Sequence, residues 1–173
     1  MSPIVSAKIV VALLAAFGIA ANCGAQGKLP RASERCMAAV DFEEMLALTR
    51  QAVVINKNLG QALSATVEQP ERFKPLIALF LQMQDTFHAL TRVADASHSL
   101  KFCDSERCSD LARAKLQAQL DYLLDHHDKS IHNINRIMAV GTSPSLIVDG
   151  KESRDLLFKI DERIAVCRAQ RSK

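Results

Sequence analysis

The stretch LARAKLQAQLDYLLDHHDKSIHNINRIM, residues 111–138, decides the fold. Leu116, Leu120, Leu123, Leu124, Ile131, Ile134, Ile137 and Met138 recur at spacings of three and four, with Leu111 at the head of the run. An apolar stripe at that spacing marks one face of an α-helix, because successive side chains step about 100° around the axis. The Lys, Arg, Gln, Asp and Asn between them form a solvated face. Ser105 is suited to cap the start, and Gly141 followed by Pro144 ends the pattern. A helix is therefore predicted over residues 105–140.

The same pattern extends outward from this helix. Upstream, Phe42, Met45, Leu46, Val53, Leu59, Leu63 and Val67 predict a helix over 36–67. Asp41, Glu43 and Glu44 lie in its early turns, where the helix dipole favours anions. Pro70 and Pro75 break the chain, and Pro75 suits the first position of the next helix, since its missing N–H is not needed there. That helix, over 75–96, carries Leu76, Ile77, Phe80, Leu81, Phe87, Leu90 and Val93. Downstream, Asp149 and Glu152 have capping-box spacing. Leu156, Leu157, Ile160, Ile164 and Val166 follow as a fourth stripe. Residues 145–148 are the one β-like run, and a single Tyr with no Trp leaves little material for a sheet. The expected architecture is all-α, an up-down four-helix bundle over residues 26–173.

Residues 1–25 have the layout of a signal peptide. Lys8 supplies the positive charge, Ile9 to Ala21 is apolar, and Ala25 is a small residue suited to cleavage. The apolar run is shorter than the ~20 residues that span a bilayer, so no stable membrane insertion is expected. Acylation at Cys23 is disfavoured because Asn22, just before it, is larger than a lipoprotein site normally has. The expected location is outside the cytosol, in a bacterial periplasm or secreted.

Cleavage removes Cys23 and leaves Cys36, Cys103, Cys108 and Cys167, an even number in an oxidising compartment. In an up-down bundle these four positions fall at one pole, so two disulfides are expected to cluster there. Cys36–Cys103 with Cys108–Cys167 is slightly preferred, because each would join adjacent antiparallel helices. Cys36–Cys167 with Cys103–Cys108 is the alternative.

The charge balance, 22 Lys and Arg against 19 Asp and Glu, is near neutral and shows no basic stripe, which argues against a nucleic-acid partner. Arg163, Arg168, Arg171 and Lys173 form a basic tail of the kind a helix C-terminus favours. There is no Gly-rich phosphate loop, no Gly-x-Ser-x-Gly, no His-Glu-x-x-His and no Cys-x-x-Cys-His, so no cofactor is expected.

Two constellations suggest chemistry. Cys103 and Cys108 are separated by four residues, against two in common redox motifs, and Asp104 and Glu106 between them would raise a thiol pKa. Residues 141–150 resemble the proline loop and following strand of secreted thioredoxin-fold proteins. They depart from it by an extra Ser143, and no strand–helix–strand unit precedes them. The second constellation is residues 125–132, with Asp125, His126, His127, Asp128 and His132. Asp128 and His132 share a helix face, and His88 or His98 would be needed to complete a metal site. His127 lies in register with Leu123, Leu124 and Ile131, as a partly buried, hydrogen-bonded core histidine does.

The expected function is that of a non-enzymatic protein-binding module of inhibitor, immunity, chaperone or secretion-accessory type, with another protein as partner. No feature specifies an oligomeric state. The alternatives are a thiol–disulfide oxidoreductase using Cys103 and Cys108, and a metal carrier using His126–His132.

Overall fold

The computed structural model describes residues 34–66, 68–140 and 144–171; the expected leader over residues 1–25 lies outside them. Five helices follow one another among the described residues: α1 (Glu34–Ala39), α2 (Phe42–Thr66), α3 (Pro70–Lys101), α4 (Glu106–Val140) and α5 (Pro144–Arg171). No strand occurs among the described residues. The four long helices form the expected bundle. α3 packs broadly on α2 and on α4, α5 closes the square against both on narrower seams, and α1 lies across α5 and α4. Contacts between helices run antiparallel. Asn56 Nδ2 donates to the Met83 carbonyl across α2 and α3 at 3.2 Å. Gln82 and Thr86 on α3 meet Ser130 and His126 on α4 in reversed order.

The helix boundaries have local causes. Ser105 caps α4 through the Cys108 N–H at 3.3 Å, and Asp41 caps α2 through the Glu44 N–H at 3.0 Å. The Asp41 cap divides what the sequence pattern treats as one helix into α1 and α2. Pro70, not Pro75, is the first residue of α3, and Pro75 lies inside it. The β-like run 145–148 belongs to α5. Asp149 and Glu152 are consequently interior to that helix and do not form a capping box. Val67 lies outside the described residues.

Met45, Leu59, Leu76, Met83, Leu120 and Leu156 are among the side chains sealed in the core. Five expected core residues face outward instead: Val53, Ile77, Leu81, Leu111 and Val166. Ala52, Leu76, Ala112 and Cys167, each one residue from one of these, occupy inside positions.

The bridges are Cys36–Cys167 and Cys103–Cys108, with Cα–Cα distances of 4.6 and 5.4 Å. The clustering at one pole holds, but the preferred pairing does not. Because α1 is a separate short helix seated on α5, Cys36 meets the end of α5 and not the α3–α4 link. α3 runs on to Lys101, so Cys103 and Cys108 face each other across the turn into α4. Cys36 and Cys167 are fully enclosed, whereas Cys103 and Cys108 are half-buried. Thiol–disulfide exchange needs direct access to sulfur. Graded dithiothreitol followed by alkylation and peptide mass mapping should therefore label Cys103 and Cys108 while Cys36 and Cys167 stay bridged. Simultaneous labelling of all four would contradict this order.

Candidate functional site at the disulfide pole

The end of α3, the start of α4, α1 and the end of α5 meet at the bridged pole. α3 closes with the Phe102 N–H bonded to the His98 carbonyl at 3.3 Å. This turn leaves Phe102 66% exposed, with its ring 4.5 Å from that of His98. His98 in turn meets Phe42 edge-on at 5.0 Å. Across the link, Leu111 on α4 is 67% exposed. Met37, Ala38, Leu100 and Arg113 line an open cleft of about 350 Å3. Phe102 and Leu111 are not among the lining residues; each is two residues from one of them, Leu100 and Arg113. The exposed charges of Lys101, Asp104, Glu106 and Arg107 lie along the same link. Exposed large apolar side chains interspersed with charges along one segment suit a protein-binding surface.

The sequence pattern did not single out these residues. It placed Phe102 in an unremarked connector and Leu111 in the core. Phase was the available signal, since Ala112, four residues before Leu116, is the position that turns inward.

The histidine segment is divided among different surroundings. His126 Nε2 lies 3.2 Å from Thr86 Oγ1 and 3.0 Å from Ser130 Oγ. Each hydroxyl also has a backbone carbonyl in reach of its single proton: Gln82 O lies 3.0 Å from Thr86 Oγ1 and His126 O 2.8 Å from Ser130 Oγ. Each hydroxyl can accept from an Nε2–H or donate to a bare Nε2, so the ring's tautomer sets the direction of both contacts. Gln82 extends the network, donating to Ser130 Oγ at 2.8 Å and accepting from Asn133 at 2.9 Å. Burial holds the His126 pKa below its ordinary value, against the pull of Asp85 and Asp125.

His127 is buried, as its register predicts, and faces α5, but the hydrogen bonds expected of a core histidine are not made: its nearest polar neighbour, Asp161 Oδ1, is 3.5 Å from Nε2. Asp125 pairs with Lys129 at 2.7 Å, Asp128 pairs with Arg168 at 2.6 Å, and His132 is exposed. His88 is exposed, with its ring beside that of Phe87. Among the described residues, no three His, Cys, Asp or Glu side chains gather to hold a metal ion.

The basic tail is engaged locally. Arg163 pairs with Glu44 at 2.8 Å, and Arg168 pairs with Asp128 and Asp161. Lys173 and the Arg171 side chain lie outside the described residues. No described helix is long and apolar enough to cross a membrane. Asp149, enclosed within α5, has its carboxyl pKa raised by burial and by neighbouring Glu152.

No family model, curated protein or solved structure matches the chain.

Proposed function

We propose that this protein is an exported, non-catalytic binding module that engages another protein through its disulfide pole. The observation that carries the reading is the exposure of Phe102 and Leu111, which flank an α3–α4 link closed by the Cys103–Cys108 bridge. Large apolar side chains held in place before contact lose little freedom on binding, so more of their burial is retained as affinity. Aromatic anchors of this kind tend to dominate interface energetics.

The thiol-exchange alternative draws on the accessibility of the Cys103–Cys108 bridge and on the place of Cys108 in the first turn of α4. Asp104 and Glu106 oppose it, since both disfavour a thiolate. The metal-carrier alternative gains no support from the way the histidine segment is divided.

The test is a photo-crosslinking residue placed at 102 or 111 in the full protein, expressed in its own compartment, with position 148 at the far end of the bundle as the control. One discrete protein should be captured from the first two positions and not from the third. Phe102→Asp with Leu111→Asp should weaken its affinity by about 30-fold or more, the effect of losing a hot spot worth 2 kcal/mol. The melting temperature should stay unchanged. Equal capture from position 148, or an affinity untouched by the double substitution, would overturn the assignment.

A further inference from the structure

His127 is the most deeply buried titratable side chain among the described residues, at 1% exposure. Neither ring nitrogen has a hydrogen-bond partner. That leaves polar atoms desolvated without compensation, which an apolar residue of similar size would avoid. Nε2 stands 3.5 Å from Asp161 Oδ1 on α5, just beyond a good hydrogen bond. Asp161 is occupied by Arg168 Nη1, and Arg168 Nη2 reaches Asp128 Oδ1 on α4 at 2.6 Å. The ring thus lies beside an Asp128–Arg168–Asp161 bridge that ties α4 to α5.

We propose that His127 is the sensor of a pH-driven exchange of partners: once protonated, its Nε2–H takes the Asp161 carboxylate from Arg168, and the Arg168–Asp161 pair within α5 gives way to a His127–Asp161 pair between α4 and α5. A neutral imidazole has one donor and no charge, so at 3.5 Å it competes weakly with the Arg168 guanidinium for the Asp161 carboxylate. The imidazolium has two donors and a charge, and it needs to approach by only a few tenths of an ångström to make a charge-assisted bond. Arg168 keeps Asp128 but loses its hold on α5's own carboxylate. The exchange thus rearranges the charges on the α4–α5 seam, which is narrower than that between α3 and α4.

The charges acting on the ring are Arg168 and Asp161 from α5, with Asp128 and His126 from its own helix. α1, α2 and α3 supply none of them. Burial, then Arg168, holds the His127 pKa below its ordinary value, and Asp161 and Asp128 only partly offset this. The unfolded chain therefore takes up its proton first as pH falls. The stability contributed by the neutral ring is complete above about pH 6.5 and is lost as pH drops through that value toward the lower folded pKa. His126, which faces Asp85, Asp125 and Lys129, shifts in the same direction and adds to the slope.

The test follows the histidine ring nitrogens by long-range 15N–1H spectra between pH 8 and 4.5, in the full protein with both bridges closed. His127 should titrate below the ordinary histidine value. Asp161→Asn should lower it further, by removing the acceptor of the imidazolium, and Arg168→Gln should raise it. The Tm should fall by about 3–5 °C per pH unit per histidine below pH 6.5. His127→Leu, which removes the titration while filling the space, should leave only the shallower slope due to His126. If His127→Leu does not fold, the opposite shifts in the other two variants still decide. A His127 that titrates at or above the ordinary value, or ignores both substitutions, or a His127→Leu protein with the parent slope, would overturn the proposal.

Discussion

Replacing Cys36 and Cys167 together by alanine should cost about 5 kcal/mol, whereas the same change at Cys103 and Cys108 should cost about 2 kcal/mol. The difference comes from the unfolded chain. The first bridge spans 131 residues of sequence and the second spans 5, and the loop-closure entropy each removes grows with the logarithm of that span. The long bridge also acts where the fold is least supported by packing. α5 meets its neighbours on the narrower seams, and Cys36 pins its end through α1. A loss near 5 kcal/mol is comparable to the whole stability of many domains, so α5 should detach first in the variant lacking this bridge. Urea unfolding of the two double variants gives the free energies, and amide exchange shows where protection is lost. Equal costs, or protection lost evenly over all helices, would contradict this account.

The existence of the long helices was legible because α2 and α4 repeat apolar residues with a clear period. α5 was legible only in its second half. At residues 146–153 the hydrophobic and inward positions disagree: Ile147 and Val148 face solvent, while Asp149 and Ser153 are enclosed. Ser153 reconciles its burial by donating to the Asp149 carbonyl one turn earlier at 2.7 Å, a local back-bond open to a serine in any helix and therefore no sign of which face is inward. Gly150 belongs to the same region. A Cβ there would run into the Met138 side chain, so the glycine allows α4 and α5 to approach closely. The disulfide pole was legible as a place, because topology alone gathers the four cysteines. The pairing was not, because it depends on the short break at Val40 and Asp41 that separates α1 from α2. The polar network of Gln82, Thr86, His126, Ser130 and Asn133 was invisible for a related reason: its members are unremarkable singly and acquire meaning only when α3 and α4 are in register.

Phase outranks hydrophobicity in this bundle, and the contrast between Leu120 and Leu111 measures by how much. Both belong to the stripe that identifies α4. Leu120 is four residues after Leu116 and three before Leu123, so all three share the inward face, and Leu120 is completely enclosed. Leu111 is five residues before Leu116, which at 100° per residue turns it well away from that face. Ala112 takes the inward position in its place. Leu120→Ala should therefore remove about 3–5 kcal/mol, the sum of lost transfer free energy and of a cavity that the close neighbours Leu116, Leu123 and Leu124 cannot fully fill. Leu111→Ala removes the same atoms from a site already in water, and alanine is the better helix former, so its effect should stay within about 0.5 kcal/mol. Urea midpoints of the two single variants at pH 7.5, where both histidines are neutral, make the comparison without interference from titration. Similar losses at the two positions would mean that Leu111 is buried, and would remove it from the proposed binding face as well.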